Sequence, residues 1–251
     1  MPGTDTILLV GLTFLLAGAV KGVVGLGLPT VSLAVLTATL GLKPALALLI
    51  FPSLVTNAWQ AYDGGQLRPL MTRLGPMLVA VCVGTLFGVG VLAVSKVVWL
   101  SLLFGVLLIV YAGSSLAGLR VAAPGSHEWW LSPAVGLVNG LLTGLTGSFV
   151  VPGVLYLQAL QLPRDALVQA MGILFTVSTA ILGVALGGAR LMPADLAWLS
   201  LFAVLPALAG MRLGLMLRRQ LSEAMFRRAL FAALLVFGGY VAARSGLALI
   251  G

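Results

Sequence analysis

Lys21-Gly22-Val23-Val24-Gly25-Leu26-Gly27-Leu28-Pro29 interrupts an apolar N-terminal segment with three glycines, a proline and one charge. A looser version returns in the second half as Asn139-Gly140-Leu141-Leu142-Thr143-Gly144-Leu145-Thr146-Gly147, followed by Pro152. Apolar helices interrupted at corresponding places in two halves of a chain mark the binding site of a secondary transporter.

Of the 251 residues, 61% are hydrophobic and 8% charged. A soluble domain needs about a quarter of its residues charged to cover its surface, so most of this surface must meet lipid. The apolar runs are long and do not alternate, which excludes a barrel and predicts membrane helices. The net charge of +8 does not make a nucleic-acid surface, because the basic residues are scattered through short turns between apolar runs. Cys82 is the single cysteine, so neither a disulfide nor a cysteine metal site is expected. Ile7 to Leu16 imitates a signal-peptide core, but the residues before it carry Asp5 and no basic residue; the segment is read as a first membrane helix.

The expected fold is all-α and polytopic, with two inverted repeats of about five helical segments each. In the first, short runs at Thr6–Val20 and Leu28–Leu42 flank the glycine break. Longer segments follow from Lys43-Pro44 to Tyr62, from Pro76 to Val94 and from Val98 to Leu119. Residues 121–130 form a polar linker between repeats at 1–120 and 131–251, and Trp129-Trp130 beside it suits a membrane interface. The second repeat has short runs at Pro133–Leu145 and Phe149–Leu160, then segments at Ala166–Leu186, Leu196–Leu217 and Ala229–Ala243. Gly84 and Gly88 correspond in order to Gly210 and Gly214. Arg68 and Arg73, with Arg218, Arg219, Arg227 and Arg228, mark one face as cytoplasmic, and Lys96 falls on the other.

A helix that starts at a break inside the membrane turns unpaired N–H groups and its positive dipole end toward the cavity, which favours an anion. Candidate ligand groups are Lys21, Gly22, Gly25 and Gly27 at the first break, and Asn139, Gly140, Gly144, Thr146, Gly147 and Ser148 at the second. Asn57 and Gln60, spaced to share a helix face beside Thr56, and Thr176 and Ser178 in the matching segment complete the set. The same glycines would also serve tight helix packing. Lys21 would also reach an interface on its long stem, and the polar groups would also bond neighbouring helices. All six carboxylates lie at segment ends or turns, which disfavours a carboxylate proton relay. It also disfavours enzyme chemistry on a lipid phosphate, since that needs placed acid–base groups or a metal. No cofactor, metal or catalytic residue is expected; the partners are a small anion and membrane lipid, and both a monomer and a homo-oligomer are compatible with the sequence.

The stretch Gly18 through Pro29 resembles the first signature of the sulfite exporter TauE/SafE family, also called the toluenesulfonate uptake permeases (TSUP). Gly136, Asn139-Gly140, Gly144, Gly147 and Pro152 resemble the second, with Thr146-Gly147-Ser148 where a denser Gly-Gly run is usual. Thr56-Asn57-Ala58-Trp59-Gln60, and Gly210-Met211-Arg212-Leu213-Gly214 before Arg218-Arg219, are also similar to that family. The resemblance implies a multi-pass permease of a bacterial inner membrane that carries sulfite, sulfoacetate or other organosulfonates. A permease for other small organic anions and an anion channel are the alternatives.

Overall fold

The computed structural model describes residues 3–119, 121–218 and 222–250; Arg219, counted above among the basic residues of the cytoplasmic face, lies outside them. Ten α-helices follow one another: α1 (Thr4–Val24), α2 (Leu28–Leu40), α3 (Leu42–Tyr62), α4 (Leu67–Val94), α5 (Val97–Leu116), α6 (Glu128–Thr146), α7 (Gly153–Ala159), α8 (Arg164–Gly188), α9 (Ala194–Leu217) and α10 (Glu223–Ile250). Among the described residues there is no strand, and seven helices are long and apolar enough to cross a membrane. The protein is an all-α polytopic membrane protein.

The first helix of each broken pair is longer than its apolar run suggested: α1 has 21 residues and α6 has 19, whereas α2 and α7 have 13 and 7. The runs looked short because Lys21, Asn139 and the adjacent glycines lower local hydropathy. These residues face protein rather than lipid, so they remain helical. The helices α4 and α10 likewise begin before Pro76 and Ala229, so Arg68, Arg73, Arg227 and Arg228 sit within the first two turns of helices rather than in loops. A helix is free to extend beyond the hydrocarbon into the interface, where arginine is stable.

Glycine decides which helices meet. A Cβ at Gly18 or Gly22 of α1 would overlap the carbonyl oxygens of Ala207 and Met211 on α9, and one at Gly210 or Gly214 would overlap those of Leu15 and Ala19. The α4/α6 pair repeats this: Gly84 and Gly88 press on Leu137 and Leu141, while Gly136, Gly140 and Gly144 press on Met77, Val81 and Thr85. In both pairs the residue numbers rise together, so the helices run parallel. Lipid supplies no hydrophobic drive between helices, and close backbone approach at small residues takes its place.

The other two large pairs are antiparallel. In α3/α8, Ala61 lies at Gly172 while Ile50 lies at Gly183. In α5/α10, Gly105 lies at Ala242 while Leu108 lies at Gly238. Because α9 returns from α8 through a short turn, it runs parallel to α3, and α1 therefore does too. That leaves α2 alone to carry the chain back from the end of α1 to the start of α3. Its 13 residues make roughly 20 Å of helix, less than a hydrocarbon core of about 30 Å, so the break before it lies inside the membrane.

The centre of the bundle is α3, with 61% of its apolar window buried against 22% for α10. Pro52 removes one N–H from α3 and leaves the Leu48 carbonyl without its helical donor. Ser200 of α9 fills the gap: its hydroxyl donates to Leu48 O at 2.7 Å and accepts from Phe51 N at 3.2 Å. Backbone polar groups inside a bilayer must be satisfied within the protein, and here a neighbouring helix does it.

Gly214→Ala should destabilise the protein by about 1–3 kcal/mol, since a methyl there meets backbone. Gly11→Ala, where a Cβ meets nothing within 4 Å, should be neutral or gain up to about 1 kcal/mol from helix propensity. Thermal melts in detergent compare them; equal melting would refute the packing role.

Candidate functional site

Lys21 sits one turn before the end of α1. Gly25 closes that helix in the left-handed conformation (φ 84°), its N–H bonded to Lys21 O at 2.7 Å. Only glycine adopts this backbone without strain. Gly27 (φ 109°) then opens α2, packing against the Val20 side chain and offering no side-chain cap to the first N–H groups of that helix.

The Lys21 side chain is 4% exposed, and among the described residues it makes no ion pair. Its ammonium donates to Asn57 Oδ1 and, at 3.3 Å, to Thr56 Oγ1, both on α3. Thr56 Oγ1 in turn donates to Pro52 O at 2.8 Å. Asn57 Nδ2 is buried with no hydrogen-bond partner, and so is Ser53 Oγ one turn away on the same face of α3. A cavity of about 220 Å³ opens beside the lysine, lined by Gly22, Gly25, Thr56, Gln60, Asp63, Arg218 and others. Its size suits a small ion rather than a drug-sized ligand, which needs about 300 Å³ or more.

Gln60 reaches this cavity but is bound into the framework: Nε2 donates to Val168 O on α8 at 2.8 Å. Gln169 of α8 clamps the same corner. Its Nε2 donates to Ala61 O at 2.8 Å and its Oε1 accepts from Gln66 N at 2.9 Å. That bond holds the turn after α3, and with it the mouth of the cavity.

The second break repeats the backbone of the first. Gly147 ends α6 with φ 73° and its N–H on Thr143 O at 2.7 Å. By this match Thr143, not Asn139, occupies the position of Lys21, and the contacts of Gly140 and Gly144 repeat those of Gly18 and Gly22. The side chains here bond the backbone around the break. Asn139 Oδ1 accepts from Gly153 N at 2.9 Å and so caps α7. Thr143 Oγ1 donates to the Asn139 and Ser148 carbonyls at 2.8 and 3.1 Å. Thr146 Oγ1 donates to Leu142 O at 2.7 Å and accepts from Ser148 N at 3.3 Å. A Cβ at Gly147 would overlap Leu46, with Leu33 beside it.

The two breaks therefore do not meet at one point, although the sequence reading drew one set of ligand groups from both. Along α3, Lys21 bonds at Asn57 whereas Gly147 packs on Leu46, roughly 16 Å away. The cause is the antiparallel relation of α3 and α8, which directs the two breaks toward opposite ends of the bundle. Gly22, Gly140 and Gly144 serve helix contact by this geometry, although Gly22 also lines the cavity. On α8, Thr176 Oγ1 is bound to Gly172 O at 2.7 Å, while Ser178 Oγ is buried without a partner.

Sequence reading missed Ser53, Asp63, Arg218, Thr143 and Gln169 as neighbours of these sites. The spacing of Ser53, Asn57 and Gln60 along one helix face was legible; nothing local to Gln169 signals a clamp on another helix. Asn139→Ala should cost about 1–3 kcal/mol, because the Gly153 N–H is left buried and unpaired, and should leave anion affinity at Lys21 unchanged. Affinity loss at unchanged thermal stability would make Asn139 a ligand group instead.

No curated protein and no solved structure matches the chain. The family model described as sulfite exporter TauE/SafE matches residues 10–241, which takes in both glycine breaks, the Lys21 cavity and all four large helix pairs. The chain belongs to the sulfite exporter TauE/SafE family, whose members are membrane transporters of sulfur anions.

Proposed function

We propose that this protein is a secondary permease for small sulfur-containing oxyanions such as sulfite, sulfoacetate or other organosulfonates, and that the anion binds against Lys21 at the first glycine break. The observation that carries the reading is the buried Lys21 ammonium, whose hydrogen-bond partners are the neutral Thr56 and Asn57. Ionisable groups inside a membrane bundle are costly and mark substrate pathways. An oxyanion arriving in the cavity would supply the missing counter-charge and accept from the Lys21 ammonium.

Helix pairing supports two inverted repeats, residues 1–120 and 131–251 about a linker at 121–130. If α1 to α5 correspond to α6 to α10, then α1/α9 and α6/α4 are the same contact made twice. The counterparts α3/α8 and α5/α10 each pair antiparallel, as a two-fold axis in the membrane plane requires. Rocking one repeat or bundle against the other would expose the Lys21 site to each face in turn. Among the described residues, Arg68, Arg73, Arg164, Arg218, Arg227 and Arg228 lie at the end where the cavity opens. Lys43, Lys96, Arg190 and Arg244 lie at the other. The positive-inside rule makes the first end cytoplasmic, in a bacterial inner membrane. A lysine 4% exposed favours a carrier that encloses its substrate over an open channel.

The test is uptake of labelled sulfite and organosulfonates into proteoliposomes, beside thermal stabilisation by the same anions and matched carboxylates. Lys21→Ala should weaken stabilisation by sulfur oxyanions at least about tenfold, the value of a hydrogen bond to a charge, and abolish uptake. Stabilisation by carboxylates alone would overturn the sulfur assignment. Flux that never runs against a gradient would make the protein a channel, and undiminished binding by Lys21→Ala would remove the site.

A further inference from the structure

The end of the bundle away from Lys21 carries a second polar cavity, of about 360 Å³, between the C-terminus of α2, the N-terminus of α5 and the last turns of α10. We propose that it is a distinct binding site for a tetrahedral oxyanion. It is argued from its own residues and does not depend on the Lys21 reading.

Three observations converge on it. Arg244 of α10 lines the cavity, with Nη1 donating to Ala38 O at 2.9 Å and the remaining guanidinium donors beside the space. The Thr37 side chain lines the same wall at 6% exposure, and its hydroxyl is buried without a hydrogen-bond partner. A buried hydroxyl left unpaired costs free energy unless something else bonds it. The 20-residue helix α5 begins at this wall with Val97 and Val98, and its N-cap residue Lys96 makes no side-chain capping bond. Its first N–H groups and positive dipole end therefore favour a negative charge there. Ser101 and Ser245 add hydroxyls, and no acidic side chain lines the cavity.

Arg244 also closes the last turn of α2 through Ala38, and that bond alone would give it a structural purpose. It uses one of the five guanidinium donors and leaves the Thr37 hydroxyl and the α5 terminus unmatched. An XO₃-type head would take the free Arg244 donors and the α5 terminus, and a turn of the Thr37 side chain about χ1 would bring its hydroxyl to the same head. Two sources present this chemistry: the phosphate of an anionic phospholipid entering from the leaflet beside the exposed Tyr240, and a free sulfur oxyanion.

The experiment uses the full-length protein stripped of lipid. Thermal stabilisation by sulfate and by phosphatidylglycerol is measured for wild type, Lys21→Ala, Arg244→Gln and Thr37→Val, with native mass spectrometry of retained lipid. The Arg244 and Thr37 substitutions are made in the Lys21→Ala background, which removes the first site, so the stabilisation left in Lys21→Ala reports this one. Arg244→Gln and Thr37→Val should each weaken it about tenfold, and Arg244→Lys should restore part of it. Stabilisation by phosphatidylglycerol with retained lipid assigns the lipid source; stabilisation by sulfate alone assigns the free anion. If neither ligand stabilises Lys21→Ala, or if the effect survives both Arg244→Gln and Thr37→Val in that background, no site exists here. Melting without ligand shows whether each variant folds; Thr37→Val, nearly isosteric, carries the test if Arg244→Gln does not.

Discussion

The distance at which two helix backbones can meet governs this structure. At α1/α9 and α4/α6, glycines stand where any Cβ would overlap a carbonyl oxygen of the neighbouring helix. Both pairs join the first half of the chain to the second, so the halves interlock rather than sit side by side. The close approach of α1 to α9 also holds the end of α1 beside α3, which is what brings Lys21 to Asn57. Packing glycines and the candidate anion site are thus parts of one arrangement: Gly22 touches α9 while its neighbour Lys21 turns toward α3.

The two breaks share a backbone and differ in chemistry. Each ends a helix on a left-handed glycine bonded one turn back, at Lys21 in the first and at Thr143 in the second. A lysine in the first position leaves charge and unused donors beside a cavity. A threonine in the second bonds to carbonyls of its own loop, and leucines fill the adjoining space. On the proposed mechanism this is a conformation open at the arginine-rich end and closed at the other. The protein need not bind symmetrically, although its helices pair almost as a symmetric object would.

Much of the fold was legible because hydropathy and glycine spacing are local quantities. The ten segments and their order along the chain followed from them. Helix lengths did not: α1 and α6 look short wherever protein, not lipid, surrounds their polar and small residues. Of the candidate site, Lys21, Thr56 and Asn57 were legible as polar groups in apolar segments, and the structure brings them into hydrogen-bond contact. Asn139, chosen on the same grounds, instead caps α7. An amide that binds a ligand and one that binds a backbone N–H look identical in sequence, since the difference is the group opposite.

By itself the sequence determined that the chain is a helical membrane protein with interrupted helices, because apolar run length and helix-breaking residues act over a few neighbouring positions. Only the tertiary structure decided which glycines are helix contacts. It also decided that the two breaks face opposite ends of the bundle, and that Lys21 meets neutral partners rather than a carboxylate. Those outcomes depend on the relative direction of helices far apart in the chain, and direction arises from packing between residues that no local pattern connects.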